Sequence, residues 1–308
     1  MHMKLMSAPL QGYTDAAWRH AHAIVFGGVD CYYTPFIRVE KGEIRGRDLR
    51  ELHTAGCGSL KLVPQIIFRD REEFKLLVEA VTSAGYNEID LNMGCPFPPQ
   101  VQKGRGSGII SRVDVLREVS DEMRSCSECS FSVKMRLGAN DHDEWRGMVD
   151  ILNGMPLSHV AIHPRTGRQQ YKGDLDMDGF EALASALVHP RVFNGEIHAP
   201  EDIDALVSRF PQLHGVMVGR GLLARPSLFK EWSDGAEWNR QRMLSGVIDM
   251  HAMVFDNYTS RLCGETQIMS KLVPFWEYLA PLIGPKTFKA IKKTRSIDEY
   301  RKVINTLC

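Results

Sequence analysis

The chain has 308 residues, 44% of them hydrophobic and 25% charged, and its 38 basic and 38 acidic side chains leave a formal net charge of zero. That is globular material, long enough for two domains or for one large α/β barrel with an extension; neutrality excludes a broadly basic nucleic-acid coat but not a local basic face. Seven cysteines without regular spacing exclude a disulfide framework and fit a reducing cytosol, and the sequence shows neither a signal peptide nor an apolar run of membrane-spanning length, so a cytoplasmic protein without membrane contact is expected.

Strand-like runs come first at 4–9 (KLMSAP), 30–36 (DCYYTPF) and 62–67 (LVPQII). A helical stretch over 70–84 follows, with Phe74, Leu77, Val78 and Val81 at helical spacing behind Asp70 and Glu73, which have the spacing of a capping box. Further strands are expected at 88–93 (EIDLNM), 131–137 (FSVKMRL), 159–163 (HVAIH), 191–195 (RVFNG) and 215–219 (GVMVG). A helix begins near Pro200, a residue suited to a first helical turn. Eight strands separated by helices over about 230 residues have the count and length of a (β/α)8 TIM barrel, with an open doubly wound sheet as the rival. After residue 234 only helical patterns remain, broken at Gly264 and near Gly284–Pro285. The expected domains are therefore a barrel over 1–234 and a small helical bundle over 235–308.

Barrel chemistry sits at the C-terminal ends of the strands. The expected strands end in Ser7–Pro9, Thr34, Gln65, Asn92, Lys134 with Arg136, His163 with Arg165, Asn194–Gly195–Glu196 and Gly219–Arg220–Gly221. Nearly all are polar, which points to a polar ligand over the barrel mouth. Glycines after strands seven and eight, with Arg220, suit a phosphate held by backbone N–H groups; tight turns alone would explain the same glycines. Lys134 alternates with apolar neighbours and so aims into the mouth, where an ammonium needs an anionic or carbonyl partner. Cys95 follows the fourth strand at once, and Pro96, Pro98 and Pro99 stiffen what comes next. Burial is the commoner fate of a free cysteine, so packing and chemistry both stay open for it here.

Weaker signals remain. The glycine-rich KGRGSG (103–108) fits neither the dinucleotide fingerprint nor the P-loop and reads as a mobile substrate loop. The single CSEC (126–129) reads as two free thiols, and no metal is expected. Lys286, Lys289, Lys292, Lys293 and Arg295 form a basic cluster in the tail, either a solvated face or a surface for phosphates.

SAPLQGYTDAAWR, PQI, IDLNMGCP, VKMRLG, IHPRTGRQQYKG, FNGEI and VMVGRG follow one another over roughly residues 6–225. In this order and spacing the chain resembles the tRNA-dihydrouridine synthases, and its tail resembles, more loosely, that family's RNA-binding helical bundle. The resemblance implies FMN over the barrel mouth. Asn194, Gly195, Glu196, Gly219 and Arg220 would lie by its phosphate, and Pro9, Leu10, Gln11 and Gln65 would line its ring. Lys134 would sit at the N1/C2 edge, and His163 against the ring or phosphate. NADPH would reduce the flavin, hydride would pass to C6 of a uracil in tRNA, and Cys95 would protonate C5. Asn92 and Arg136 would face the extruded uridine, since a barrel-mouth flavin cannot reach a stacked base. Arg165, Lys103 and the tail's Lys289, Lys292 and Lys293 would add contacts to the tRNA.

As an acid Cys95 must be a thiol, the ordinary state of cysteine at neutral pH. Arg38 in TPFIRV leans towards the branch acting on U16. The chain departs from the family's usual pattern at Leu10, at Pro164 and in the proline-rich segment after Cys95. The competing readings are a small-molecule pyrimidine oxidoreductase of the dihydroorotate dehydrogenase kind and a catalytically silent RNA-binding barrel. A monomer is expected.

Overall fold

Residues 3–52 and 60–307 are described by a computed structural model. The period-2 alternation of its strands sets which side chains meet inside. In Glu88–Met93, Ile89, Leu91 and Met93 belong to the large apolar core, while Asp90 and Asn92, on the opposite face, are buried among polar partners. Ser130–Gly138 repeats the pattern, with Phe131, Val133, Met135 and Leu137 in the core and Lys134 and Arg136 lining a cavity.

Eight parallel strands close into a barrel. They are β1 (Lys4–Ser7), β2 (Cys31–Tyr33, resumed as Ile37–Glu40), β3 (Leu62–Val63, resumed as Gln65–Ile67), β4 (Glu88–Met93), β5 (Ser130–Gly138), β6 (Leu157–Thr166), β7 (Arg191–Phe193) and β8 (Gly215–Val218). Closure comes from β1 against β8, with Lys4 opposite Gly215 and Ser7 opposite Val218. The break in β3 is Pro64, which has no N–H for the ladder. Thr34 patches it: its N–H donates to Val63 O at 3.1 Å, and its Oγ1 accepts from Gln65 N at 3.0 Å. An apolar plug of Met6, Tyr33, Val63, Ala161, Val192 and Met217 fills the ring, so it is not a pore.

The strands lie within about four residues of the expected ranges, the largest difference being the run of β2 on to Glu40, and the barrel, not the open sheet, is the fold. Arg71–Ser83 is the expected helix, with Asp70 accepting from Glu73 N at 2.9 Å. Missing from the expectation is the small hairpin that pairs Ile37–Glu40 with Glu43–Ile44. The pair Cys126 and Cys129 is a correction: a turn from Cys129 N to Cys126 O brings their Cα atoms to 5.5 Å, and the sulfurs are joined as a disulfide. Cys57 and Cys308 lie outside the described residues.

Past Gly235, helices run over Arg240–Arg261, Glu265–Phe275, Ala280–Ile283, Pro285–Lys293 and Ile297–Ile304. The breaks at Gly264 and Gly284 fall where φ is +93° and +90°, conformations natural to glycine. Pro274 lies in the last turn of Glu265–Phe275, so the continuous helix expected to run on towards residue 283 is divided. In the tail Trp276 Nε1 donates to Tyr300 Oη at 2.7 Å and His251 shares the same hydroxyl, and these helices bury their apolar side chains in the same continuous core as the barrel.

Asp15 joins tail to barrel. It caps the helix Ala16–Val25, accepts from Tyr258 Oη at 2.8 and 2.9 Å, and pairs with Lys271 at 2.9 Å. A hydrogen bond to a buried charge contributes about 1.5–3 kcal/mol. Tyr258→Phe is therefore expected to lower stability by about 2 kcal/mol in urea unfolding, with an unchanged slope; a loss within experimental error would show that this joint carries no stability.

Candidate active site

Above the plug, at the C-terminal strand ends, lies a cavity of about 490 Å³, well within the range that holds a small ligand. Its floor and walls carry most of the residues the sequence pointed to. Pro9, Leu10 and Gln11 follow β1, Arg38 comes from β2, and Asn92 and Cys95 come from β4 and the loop after it. Lys134 and Arg136 project from β5 and His163 from β6; Asn194, Gly195 and Glu196 follow β7, and Gly219 and Arg220 follow β8.

The wall is electropositive, and its charges are unevenly paired. Arg165 Nη1 and Arg220 Nη2 both donate to Glu196 Oε1, at 2.6 and 2.5 Å. Burial alone would raise the Glu196 carboxyl, but hydrogen bonds from Arg165 and His198 and the charge of Arg220 hold it below its usual range. Arg136 is buried and donates to the carbonyls of Gly94 at 3.0 Å and Thr166 at 2.8 Å. Half-buried Lys134 has no hydrogen bond or ion pair among the described residues. Nor does the buried Nδ1 of His163. Burial, with Arg136, Lys134, Arg165 and Arg220 close by, pushes the His163 imidazole well below its usual pKa, so it is neutral.

Glycines shape the phosphate-side turns by close approach. A Cβ on Gly195 would come within 2.6 Å of the Phe193 ring, and one on Gly221 would collide with Ile197 O. Asn194 is already engaged, its Nδ2 donating to Met217 O at 2.6 Å and so tying β7 to β8. An orphan imidazole nitrogen, an ammonium without a hydrogen bond or ion pair among the described residues and several guanidinium groups fit FMN, whose phosphate and reduced ring are anionic. The residues that would hold it are Lys134, His163, Arg220 and the 194–196 turn.

Cys95 sits on the cavity wall with its backbone pinned. Its N–H donates to Asn92 Oδ1 at 2.8 Å, and its carbonyl accepts from Ser107 N at 3.0 Å and Ser107 Oγ at 3.2 Å. Burial pushes the thiol above its ordinary pKa, against the pull of Arg136 and Lys134. At neutral pH it is a thiol that can give a proton, not a thiolate nucleophile.

Several expectations are placed elsewhere. Gln65 is fully buried below the cavity, donating to Asp90 at 2.7 Å and accepting from Asn92 at 2.7 Å. Arg165 does not line the cavity; Glu196 and the Gly173 carbonyl hold it. Residues 103–108 are no open loop. Arg105 is buried against Glu73 and the Val39 carbonyl, and Gly106 packs so closely on Cys95 that a Cβ there would lie 2.6 Å from its carbonyl oxygen. Lys103 is exposed and outside the cavity, while Lys289, Lys292 and Lys293 stand exposed on Pro285–Lys293.

The aromatic lining was not anticipated. Tyr171 lies under two guanidinium groups, 4.3 Å from Arg220 and 5.5 Å from Arg136, on a turn where Gln170 has φ +53°. Phe36, Phe97 and Tyr13 add apolar surface, and Tyr278 enters from the tail, edge-on to Tyr13 at 5.2 Å. The RQQY run and the TPF run carried a trace of this; nothing in the sequence brings Tyr278 to the barrel mouth.

Two solved structures share the fold. Morphinone reductase superposes with a TM-score of 0.53 over 77% of this chain and 87% of its own, at 11% identity. A variant of NCR from Zymomonas mobilis gives 0.50 over 77% and 88%, at 10% identity. At those identities the likeness is one of fold alone. Relatives in sequence cover nearly everything. A probable tRNA-dihydrouridine synthase of Staphylococcus epidermidis is 26% identical over 97% of this chain and 92% of its own, and a probable tRNA-dihydrouridine synthase 2 of Bacillus subtilis is equally close over the same shares. The dihydrouridine synthase (Dus) family matches residues 6–277, from the first strand of the barrel into the tail, and the chain belongs to that family.

Proposed function

We propose that this protein reduces the C5=C6 bond of a D-loop uridine in tRNA, with Cys95 as the proton donor. The observation that carries the reading is a thiol kept protonated by burial on the wall of a cavity whose cations lack enough anionic partners. A small-molecule pyrimidine oxidoreductase would need neither the tail nor the tail's Tyr278 in the cavity. A silent RNA-binding barrel would need no pinned thiol.

FMN, when bound in the cavity, supplies the hydride. The chain does the rest. Lys134 and Arg220 offer positive charge to an anionic ligand, Arg136 keeps a guanidinium face beside Tyr171, and Cys95 Sγ gives its proton to C5 of the uracil. Asn92 and Arg136 are the candidate contacts to that base. We further propose NADPH as the reductant, a monomer as the working form, the cytoplasm as its place, and U16 as the target, on the strength of Arg38 at the cavity wall. No helix among the described residues is long and apolar enough to cross a membrane. We place the division between a catalytic unit, 1–234, and a tRNA-binding unit, 235–308, at Gly235, after which the described residues form helices and no strands.

Cys95→Ala is expected to stay yellow and to be reduced by NADPH, but to lose tRNA reduction by at least ~100-fold; undiminished turnover overturns the acid assignment. Dihydrouridine mapping of tRNA reduced by the purified enzyme checks the target. Neutralising Lys289, Lys292 and Lys293 together is expected to weaken tRNA binding and to flatten the salt dependence by roughly two to three units of log–log slope; an unchanged slope returns them to a solvated face.

Lys134 gives a test by linkage. Burial, with Arg136 beside it, lowers its pKa from 10.5 to about 8. The folded state therefore disfavours the ammonium, a penalty fully present below pH 8 and gone once pH exceeds 10.5. Flavin-free Lys134→Met is expected to melt higher than the parent at pH 7, the gain fading between pH 8 and 10.5. A gain that persists at pH 11 would place its cause in packing.

A further inference from the structure

Beneath the cavity a line of side-chain amides runs from a buried carboxylate to the Cys95 loop. Asp90 is fully buried in β4; its Oδ1 accepts from Ser132 Oγ at 2.6 Å and its Oδ2 from Gln65 Nε2 at 2.7 Å. Gln65 Oε1 accepts from Asn92 Nδ2 at 2.7 Å, and Asn92 Oδ1 accepts from Gly94 N at 3.2 Å and Cys95 N at 2.8 Å. Each step fixes the next. Backbone N–H groups only donate, so Asn92 must turn its oxygen to the loop and its nitrogen to Gln65. Gln65 must then turn its oxygen to Asn92 and its nitrogen to an acceptor, which Asp90 supplies.

We propose that Asp90 is a positioning residue for Cys95. By accepting from Gln65 it sets the direction of two successive amides, and the last of them holds the peptide N–H of the thiol-bearing residue. Without that acceptor Gln65 Nε2 is left buried and unpaired, both amides are free to turn, and an Asn92 that offers its nitrogen to the loop repels the N–H groups of Gly94 and Cys95. The loop then opens locally and the thiol leaves its place. What matters is an acceptor atom at this point, not the negative charge. An asparagine at position 90 serves as well, its Oδ1 accepting from Gln65 and its Nδ2 donating to Ser132 Oγ.

The assignment deepens the tRNA-reducing reading and depends on it only for the turnover measurement. Iodoacetamide labelling of flavin-free protein, read at Cys95 by peptide mass spectrometry with exposed Cys263 as the internal reference, follows the loop directly. Asp90→Ala is expected to label at Cys95 about fivefold faster or more, well below its melting temperature. In the flavin-loaded enzyme its kcat on tRNA falls at least ~10-fold while KM stays within about twofold. Asp90→Asn keeps both quantities within about twofold of the parent. If Asp90→Ala does not fold, Gln65→Leu removes the middle link, and the same rise in labelling is expected of it.

Parental labelling in Asp90→Ala, or in Gln65→Leu should it be needed, overturns the proposal. So does an Asp90→Asn that labels as fast as Asp90→Ala, which would make charge the operative property. If uridine in tRNA is not the substrate, no variant turns tRNA over and the labelling contrasts still stand. If the relay is not operative, tRNA turnover persists and the contrasts vanish.

Discussion

Four cationic side chains, Lys134, Arg136, Arg165 and Arg220, converge on one end of the barrel, and at their level Glu196 is the carboxylate among them that lines the cavity. Each lies close enough to the neutral imidazole of His163 to suppress its protonation. Like charges held this near one another in a partly desolvated pocket repel, and the fold tolerates them because it is bound together elsewhere, by the parallel ring, the apolar plug and the tail's docking on Asp15. The imbalance is a standing demand for an anion. Such a mouth suits a phosphate or another negatively charged group.

Answering that demand requires the other groups to stay where they are. Arg136 is fixed by two backbone carbonyls, Arg165 by Glu196 and Gly173, Asn194 by Met217 and Cys95 by Asn92 and Ser107. Very few of these partners are themselves free to titrate. Apart from the Glu196 carboxylate, orientation is therefore set by backbone atoms and amides, whose hydrogen bonding does not change with pH, while Lys134 has no ion pair among the described residues.

The sequence was most legible where a single period governs. The apolar patterns of 88–93 and 131–137 gave the strands and, for Lys134, the inward direction, and Asp70 with Glu73 marked a helix start that the hydrogen bond at 2.9 Å matches. It was least legible where long-range packing decides. Glycines in 103–108 look like freedom on paper; in space Gly106 and Gly108 are glycines because Cys95 and Val101 leave no room for a Cβ. Gln65 was expected at a strand end facing the ligand, but it opens the segment Gln65–Ile67, lies below Asn92 and is spent on it and on Asp90. Tyr278 packs on Tyr13 from the far end of the chain, and no local pattern records such a meeting.

The glycine-rich run 103–108, downstream of Cys95, was expected to be a mobile substrate loop. Instead Gly106 is pressed against Cys95, Arg105 is anchored to Glu73, and three prolines follow Cys95 within four residues. These contacts brace the chain on both sides of Cys95, although Phe97, Pro98 and Pro99 are exposed. The thiol thus stands on a braced stretch of backbone, and in the proposed reaction more of the alignment is left to the visiting nucleotide. Discrimination between substrates then falls more on how cheaply each RNA can present its base to a braced site.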